Sequence, residues 1–540
     1  MRFKRILILG LLILSVLATL PAVNAATYNV SNYEELETAL HERYESEIVI
    51  NLKNNITIKA SDINNLPYNY IMVRSPVIFN GNNHSISIVS DEYILSHAVF
   101  DFGFNGSVVI NDLVVCDSVV LADTGLSIFT LRSTRDSTSL TVNNLVVQNV
   151  SGLVNGTFAN VKVFSFSNAG HELVRIKNFT FRNSEGIAFF EHGGGSHVQT
   201  GDRVRIENGI VDSVSAGYII GLLNINVSNV TFSNCVVNNY LVYNGVQVGD
   251  DFVYGIDNCS FINNTVNGTV VSFNSYGSES FLINSYFENN TICGAGAGSC
   301  IVSLGNKSVI KHCTFVDNAV YGVNGSIFHY RASFNFVSVF FNTFVNNYID
   351  EPNFGLQPPA HNVIYGNLFI NGNFMSGASI SGNSNLISNS YEFVFGSNKP
   401  ALNGGKTKNI QLVNNGSNPA LNKISAADYL VAVGVDPSAD KDQAGNKRIS
   451  GGAVDYGAVE YQKNPVQSII DDIFNPDPGE NPKENEETRP SLIKFLFGEG
   501  SIFDKTSSLL YYIMNNYVQW DKPVISPVHQ KMIDVLGLKP

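Results

Sequence analysis

A short pattern, Phe-x-Asn, recurs through the central third of the chain and constrains its fold more than any other feature. One copy carries Asp in place of Asn, and a degenerate copy, Val211-Asp212-Ser213, fills the longest gap. Apart from that degenerate copy, the copies are Phe181-Arg182-Asn183, Phe232-Ser233-Asn234, Phe261-Ile262-Asn263, Phe287-Glu288-Asn289, Phe315-Val316-Asp317, Phe344-Val345-Asn346 and Phe369-Ile370-Asn371. The spacings average about 27 residues, and their irregularity argues against a helical repeat.

Alternating apolar residues precede each copy, which predicts strands of period two, as in 142–147. Parallel strands stacked at ~4.8 Å place the same position of each coil above the last. Phe would then stack on Phe inside, and Asn would form a ladder at a bend, because Asn tolerates left-handed backbone torsions. The pattern therefore predicts a parallel β-solenoid of about twelve coils.

The two ends of the array have their own signatures. Ser31 is predicted as a helix N-cap with Glu34 completing a capping box, and Leu36 and Leu40 fall on one face. We expect this helix to cover the first coil, because an open coil end would expose unpaired strand edges. At the other end, alternating apolar residues and glycines over 440–460 predict closing strands.

The remaining segments predict export and a separate tail. Basic residues before an apolar run at 6–20, with Val23 and Ala25 at small-residue positions, predict a signal peptide over 1–25. The β-helix is assigned to 26–461, a Pro-rich and acidic linker to 462–490, and an α-helical tail to 491–540. Because no later run of 18 apolar residues exists, we expect a secreted, cell-surface-associated chain without a transmembrane span.

The amino-acid composition limits the classes of molecule that the chain is expected to bind. Charged residues make up 15% of the chain and hydrophobic residues 44%, with a formal net charge of −13. Removal of Arg2, Lys4 and Arg5 with the signal peptide makes the mature balance more negative still. A negative surface repels phosphate backbones, so we expect no nucleic-acid partner.

The six cysteines are too sparse for a disulfide framework, and no CxxC pair suggests zinc. Only Cys293 and Cys300, at the ends of a Gly-rich loop, are spaced for a bridge. That pairing stays open beside the alternative of small buried thiols. No cofactor motif is present, so no cofactor is expected.

At this level the chain resembles right-handed parallel β-helix repeat proteins, specifically the secreted adhesin-like surface proteins of methanogenic archaea. The resemblance covers roughly 27–461. It rests on the helical N-terminal segment, Ile78-Phe79-Asn80-Gly81-Asn82-Asn83-His84, the Phe-x-Asn coils and Asp455-Tyr456-Gly457-Ala458-Val459-Glu460. It implies an all-β, right-handed β-helix with the pectin lyase fold and attachment to the cell surface, but it supplies no binding residues.

Fragments of a pectin-hydrolase pattern test the enzyme alternative. Arg175-Ile176-Lys177, His192-Gly193 and Gly249-Asp250-Asp251 occur, but in the reverse of the order found in that family. Alternation of Arg175 and Lys177 with apolar residues favours an exposed strand face, and Asp250 and Asp251 favour a loop.

Two further clusters contain residue types that serve in metal or acid/base sites. The stretch from Glu191 to His197 holds two histidines and a carboxylate around glycines, which favours a solvated loop over a metal or proton-transfer site. Asp436, Asp440 and Asp442 are close in sequence, as ligands of a Ca²⁺ ion can be, but alternate Asp residues in a turn are also common at protein surfaces. We therefore assign no catalytic, cofactor-binding or metal residue, and the binding residues stay unknown.

The favoured interpretation is an adhesin-like protein that binds glycans or the surfaces of other cells. Low charge and many Asn, Ser, Thr and Tyr residues suit hydrogen bonding and stacking to sugars. Sequons, among them Asn178, Asn229, Asn258 and Asn289, are possible glycosylation sites, although a laddered Asn263 or Asn289 is expected to be buried. The alternatives are a β-helix polysaccharide lyase or glycoside hydrolase acting on acidic polysaccharide, and a structural envelope component, for which the tail is a possible docking element.

Overall fold

The structure is a computed structural model of the chain, and the residues that it describes run from 25 to 462 with internal gaps. The chain divides into two units, 1–461 and 462–540, and nearly all described residues belong to the first. Nearly all of the predicted signal peptide, the linker and the tail thus lie outside the described residues. The residues left out are 1–24, 42–46, 104–105, 133–138, 155–160, 168–172, 194–203, 224, 246–252, 275–278, 295–298, 306, 323–324, 331–336, 351–362, 373–383, 451 and 463–540.

Short strands dominate the described residues, because alternating β-branched and aromatic residues suit a pleated surface that is buried on one side. The strands are β1 (Ala26–Val30), β2 (Ile48–Leu52), β3 (Ile56–Lys59), β4 (Ile71–Met72), β5 (Val77–Asn80), β6 (Ser85–Val89), β7 (Ala98–Phe102), β8 (Ser107–Asn111), β9 (Val114–Ala122), β10 (Leu126–Arg132), β11 (Ser139–Asn143), β12 (Val146–Val154), β13 (Val161–Ser167), β14 (Leu173–Glu185), β15 (Ile187–Gly193), β16 (Val204–Leu223), β17 (Ile225–Ser233), β18 (Val236–Gly245), β19 (Val253–Asp257), β20 (Ser260–Ile262), β21 (Thr265–Val266), β22 (Thr269–Asn274), β23 (Glu279–Ile283), β24 (Tyr286–Glu288), β25 (Thr291–Ile292), β26 (Cys300–Leu304), β27 (Ser308–Lys311), β28 (Thr314–Val316), β29 (Ala319–Val320), β30 (Ser326–Tyr330), β31 (Ser338–Phe340), β32 (Thr343–Val345), β33 (Tyr348–Ile349), β34 (Val363–Tyr365), β35 (Leu368–Ile370) and β36 (Leu386–Ser388). The helices are α1 (Tyr33–His41), α2 (Ala60–Asn64), α3 (Tyr391–Phe395) and α4 (Ala426–Val433).

The strands pair in parallel into three long ladders, which confirms the predicted parallel β-solenoid. Ladder A joins β1, β2, β5, β8, β11, β14, β16, β17, β19, β23, β27, β31 and β34. Ladder B joins β3, β6, β9, β12, β14, β16, β17, β20, β24, β28, β32, β35 and β36. Ladder C joins β4, β7, β10, β13, β15, β16, β18, β22, β26 and β30.

The solenoid makes about nine turns, fewer than the expected twelve. Among the described residues, ladder C starts only at β4 and ends at β30. The coils at the two ends therefore lack the third strand of a full turn, although ladders A and B extend over them.

The repeated Phe residues stack inside the solenoid as predicted. Consecutive rings lie 4.6 to 5.0 Å apart between centroids and within 12° of parallel. The stack contains Phe232, Phe261, Phe287, Phe315, Phe344 and Phe369. Register in ladder B keeps one Phe directly above the next, so the repeat in the sequence becomes one continuous column.

The Asn ladder has two rows, and the prediction that Asn263 and Asn289 are buried is wrong. Both have left-handed torsions, with φ of 56° and 52°, as the bend requires, but both are exposed. The buried row is one residue later, at Asn264 and Asn290. Asn290 Nδ2 donates to the carbonyl oxygen of Phe261 at 2.8 Å, so this inner row satisfies backbone groups at the bend.

Helix α1 covers the first coil, but its cap lies one residue later than predicted. Asn32 Oδ1 accepts a hydrogen bond from the Glu35 backbone N–H at 2.9 Å, and Glu35 Oε2 accepts one from the Ser31 backbone N–H at 2.7 Å. The N-cap is therefore Asn32 rather than Ser31, because the helix begins at Tyr33. Leu36 and Leu40 are buried as expected.

Residues 391–461, which we name the C-terminal cover, lie along the outer side of the later coils. The expected closing strands are absent from its described residues, where strand-like pairing is limited to isolated bridges such as Ile424 with Val454. Apolar side chains of the cover instead pack on residues of ladders A and B, including Phe340 and Leu368. The segment thus buries the side of the solenoid, whereas extra coils would have extended its end.

Candidate functional site

The outer side of ladder C carries the polar groups best placed for chemistry. Register aligns Asp101, Thr130, Ser165 and Glu191 in one column on successive strands β7, β10, β13 and β15. Inner neighbours such as Phe129 pack in the core, so the strand period turns this column outward. On ladder C, four successive coils therefore each contribute one polar residue to the same column.

Four residues at the first coils of this strip form a cluster that we name the Asp101 cluster: Tyr70, His97, Asp101 and Arg132. His97 Nε2 lies 3.0 Å from Asp101 Oδ2, and an Nη of Arg132 contacts the same oxygen. Arg132 also donates to the Tyr70 hydroxyl oxygen at 3.1 Å. One carboxylate thus orients an imidazole and a guanidinium, and the guanidinium in turn orients a phenol.

The side chains of the cluster differ in burial, with Asp101 beneath the surface and His97 and Arg132 at the rim. The Asp101 side chain has no exposed surface, whereas His97 and Arg132 keep 43% and 42% of their side chains exposed. Burial lowers the pKa of Arg132, but the hydrogen bond and the charge of Asp101 outweigh it, so the pKa stays above its usual value. Arg132 therefore presents a permanent positive charge at the surface.

The aromatic ring of Tyr70 completes the rim. Its centroid lies 5.1 Å from that of His97 in an edge-on arrangement, and 5.9 Å from that of the exposed Tyr68 in a stacked one. The Arg132 guanidinium carbon lies 5.5 Å from the Tyr70 ring centre. These contacts hold three proton-bearing groups within one short stretch of surface.

The arrangement suits proton transfer next to an anion. If Nε2 of His97 carries the proton that it shares with Asp101, Nδ1 has a free lone pair and can accept a proton. Tyr70 accepts a bond from Arg132, so its own O–H is left to donate. Arg132 offers donors in a fork that matches a carboxylate. A base, an acid and an anion-binding group therefore meet in one place.

A second group of charges lies farther along ladder C. Lys162 Nζ contacts Glu191 Oε2, and burial followed by the charge of Glu191 raises the pKa of Tyr218. Glu191 is the first residue of the stretch from Glu191 to His197 that the sequence singles out. It lies on strand β15 and forms a solvent-accessible ion pair with Lys162. The backbone of His192 pairs with Phe166 on β13, and residues 194–203 lie outside the described residues.

Further hydroxyl groups lie on the strands of ladder C, between the two groups of charged residues and beyond them. Thr130, Ser272, Ser303 and Ser326 are buried, and none of their hydroxyl oxygens has a partner among the residues that the structure describes. Asp101 Oδ1 is in the same situation. Because these oxygens are buried, a ligand at the surface does not contact them directly.

The other residues considered from the sequence do not join a site. Arg175 and Lys177 alternate with buried Val174 and Ile176 on strand β14, as an exposed strand face predicts. Asp250 and Asp251 lie outside the described residues. Both Cys293 and Cys300 are free thiols, so the possible bridge between them is not formed.

The three aspartates considered for calcium face different partners. Asp440 accepts hydrogen bonds from Lys311 Nζ at 2.9 Å and from the Tyr429 hydroxyl at 2.5 Å. Asp442 accepts two backbone N–H bonds, and Asp436 binds Ser438 within its own turn. Over the described ranges, no group of three or more metal-ligating side chains comes together.

The C-terminal cover holds its own buried charges, which serve packing. Arg448 is fully buried with its guanidinium 4.6 Å from the Phe341 ring centre, and its Nη2 donates to the Asp455 carbonyl oxygen at 2.9 Å. Burial raises the pKa of Asp455 to about 6 and that of Glu460 to about 8. The two carboxylates accept backbone N–H bonds within the cover, so they fix its path.

The Asp101 cluster was missed in the sequence, because its members come from three separate coils. Asp101 stands between Phe100 and Phe102 in an otherwise apolar strand, and that interruption was the available signal. Only the register of β4, β7 and β10 brings Tyr70, Asp101 and Arg132 together.

No protein-family model matches this chain, and no curated protein matches it. Among solved structures it is similar to a mutant of the PL6 family alginate lyase AlyGC, at 14% identity and a TM-score of 0.36, over 67% of this chain and 51% of that one. It is also similar to a mannuronic acid specific polysaccharide family 6 lyase from human gut microbiota, at 11% identity and a TM-score of 0.26, over 66% and 89%. A tailspike protein of an Acinetobacter baumannii bacteriophage, a capsular polysaccharide depolymerase, matches at 11% identity and a TM-score of 0.21, over 66% and 58%.

These matches are too distant to carry an argument about activity, and the matched part covers only about half of the AlyGC chain. In the part of the chain that the structure describes, no helix is long and apolar enough to cross a membrane. The function must therefore be argued from the side chains of this molecule.

Proposed function

We propose that this chain is a polysaccharide lyase that cleaves a uronate-containing glycan at the Asp101 cluster. The observation that carries the proposal is the buried Asp101 carboxylate, which holds an exposed imidazole and an exposed guanidinium beside a phenol. This departs from the adhesin interpretation favoured on sequence, which had no site residue to support it.

The reaction needs no group beyond these. Arg132 binds the carboxylate of a uronate residue, which neutralises its charge and makes the proton on the adjacent carbon more acidic. His97 takes that proton, the bond to the neighbouring glycosidic oxygen breaks, and a carbon–carbon double bond forms in its place. Tyr70 donates its proton to the departing oxygen, and no water is consumed.

Hydrolysis fits ladder C less well. Asp101 and Glu191 are the only carboxylate residues among the described residues that pair within ladder C, and they are three strand steps apart, or about 14 Å. Paired glycosidase carboxylates are roughly 5 to 9.5 Å apart. Elimination at one cluster avoids the need for such a pair.

We also propose that the protein is exported and surface-associated, because residues 1–25 have the features of a signal peptide. Export would place the site where extracellular polysaccharides are found. Binding to a glycan without cleavage, as an adhesin does, is then an outcome of the test below.

The test incubates the full chain with polyuronates and neutral polysaccharides and follows ultraviolet absorbance of unsaturated product. The wild type is expected to act on a polyuronate, and His97→Gln is expected to lower the rate about 10²-fold or more. The control is His41→Gln, because His41 is similarly exposed at 45% and pairs with Glu37 in helix α1. It should change nothing.

Other outcomes decide against the proposal. Reducing ends without unsaturated product would indicate a hydrolase, and binding without product would restore the adhesin interpretation. Equal losses in the two histidine variants would show that the effect is structural.

A further inference from the structure

Two exposed tyrosines lie side by side on a fourth, shorter ladder of the solenoid. Ladder D joins β18, β21, β25, β29 and β33. Tyr321 directly follows β29, and Tyr348 begins β33. Strand β30, in the same coil as β29, is eight steps of ladder C from β7, which places the pair roughly 38 Å from Asp101 along the solenoid axis. The pair is therefore separate from the Asp101 cluster.

The strand period explains why the two side chains share one surface. Val320 and Ile349 are fully buried in the core, so the residues next to them on each strand point outward. Strand β33 pairs with β29, and the backbone N–H of Asp350 continues this pairing by donating to the Val320 carbonyl oxygen at 3.1 Å. Tyr321, Tyr348 and Asp350 therefore lie on one outer surface, which we name the tyrosine platform.

The tyrosine platform is both exposed and held in place. Tyr321 and Tyr348 keep 44% and 45% of their surface exposed, although their ring centroids lie 5.7 Å apart with the planes inclined by 47°. The Tyr348 hydroxyl donates to Asp350 Oδ1 at 2.7 Å, and the Gly322 backbone N–H donates to Asp350 Oδ2 at 3.4 Å. These bonds orient a ring and a carboxylate before any ligand arrives, which lowers the entropic cost of binding.

The chemistry of the platform narrows the class of ligand. Aromatic side chains stabilise a protein through the area that they bury, and these two leave almost half of their area in water. The Asp350 carboxylate, in a chain whose net charge is −13, repels acidic polymers, but it accepts hydrogen bonds from hydroxyl groups. A neutral sugar offers an apolar C–H face to the rings and hydroxyl donors to the carboxylate.

We propose that the tyrosine platform binds a neutral sugar residue of a polysaccharide. The sugar packs its C–H face against the two rings and donates a hydroxyl hydrogen bond to Asp350. This site goes beyond the proposed cleavage and does not depend on it, because the platform and the Asp101 cluster share no residue and lie on different ladders.

Affinity electrophoresis of the full chain in gels that contain galactomannan, hydroxyethyl cellulose or polygalacturonate tests the site. All proteins carry His97→Gln, so that cleavage of polygalacturonate does not interfere. Tyr321→Ala together with Tyr348→Ala is expected to weaken binding to at least one of the two neutral polymers about tenfold. The matched control is Tyr93→Ala, because Tyr93 is similarly exposed at 46% and lies outside the platform. It should change binding by less than about twofold.

Two single variants separate the rings from the hydrogen bond. Tyr348→Phe keeps the ring and should retain most of the binding, whereas Asp350→Ala removes the acceptor and should weaken binding about threefold or more. Melting temperatures show whether a loss reflects unfolding. The double tyrosine variant should melt within about 2 °C of its parent, because exposed side chains contribute little to stability.

Several results would overturn the site. These are a parent that neither neutral polymer retards, a double tyrosine variant that binds as tightly as its parent, and an equal loss in Tyr93→Ala. A loss in Tyr348→Phe as large as that in the double variant would show that the rings do not bind the sugar. None of these results depends on whether an unsaturated product forms, so the site and the proposed cleavage can fail separately.

Discussion

The Asp101 cluster and the C-terminal cover contain the same residue types in different roles. In both, a buried carboxylate lies close to an arginine, Arg132 in the first and Arg448 in the second. Arg448 and Glu460 are both fully buried, whereas Arg132 and His97 are about two-fifths exposed. Exposure of the cation therefore separates a group that can meet a ligand from one that can only hold the fold.

The carboxylates of the two regions also differ in the hydrogen bonds that they accept. Each oxygen of Asp455 accepts a backbone N–H, from Asn422 at 2.6 Å and from Tyr461 at 2.7 Å. Asp101 uses only Oδ2, and its Oδ1 has no partner within the described part of the chain. A carboxylate whose two oxygens both accept backbone N–H bonds stabilises the path of the chain, while one that orients exposed side chains can support chemistry at the surface.

The largest expected effect tests the structural half of this comparison. Arg448→Met should lower the free energy of unfolding by about 3–5 kcal/mol, because it leaves Asp442, Asp455 and Glu460 buried without their cation. Urea unfolding followed by circular dichroism measures it. Lys441→Met, at an exposed position of the same segment, is the control and should cost less than about 1 kcal/mol. Similar losses from both would mean that Arg448 does not hold the cover.

The cover should also respond to pH. Because Asp455 and Glu460 have pKa values raised to about 6 and about 8, the folded state binds their protons more tightly than the unfolded state. Their contribution to stability is therefore fully present below about pH 4 and is lost as pH rises through 6 and 8. Melting temperatures of the wild type and Glu460→Gln between pH 5 and 9 check this. The variant should lose much of the alkaline decline, and an unchanged decline would contradict the assignment.

The smallest expected effect compares the two rows of the Asn ladder. Asn290→Ala should cost about 1–3 kcal/mol, since it leaves the Phe261 carbonyl oxygen and the neighbouring Asn264 backbone N–H without partners. Asn289→Ala removes one exposed bond and forces Ala into a left-handed torsion, so it should cost about 1 kcal/mol or less. Chemical denaturation of both variants measures the difference. A larger loss at Asn289 would mean that the outer row holds the bends.

The sequence predicts the repeated parts of this molecule well, because the same interaction recurs in every coil. The Phe column and the left-handed bends follow from Phe-x-Asn alone, since register places identical residues on each other. The sequence does not indicate that the next Asn along the chain forms the buried row. Its role depends on which side of the bend faces the core, and the two adjacent amides look alike in the sequence.

The unrepeated parts could not be predicted in this way. The sequence predicts closing strands over 440–460, but Asp455 and Glu460 accept backbone N–H bonds there in place of strand pairing. The Asp101 cluster joins residues from three coils, and successive coils contribute residues about 30 positions apart. Such a group has no spacing motif, and it becomes visible only when the register of ladder C is known.

The mass of the oligosaccharides released from a polyuronate by the wild-type chain tests the central claim most directly. Elimination at the Asp101 cluster predicts new non-reducing ends that are lighter by one water than those left by hydrolysis, and their loss in His97→Gln. Products of the full hydrolytic mass, or the unsaturated product at an undiminished rate in His97→Gln, would contradict the account.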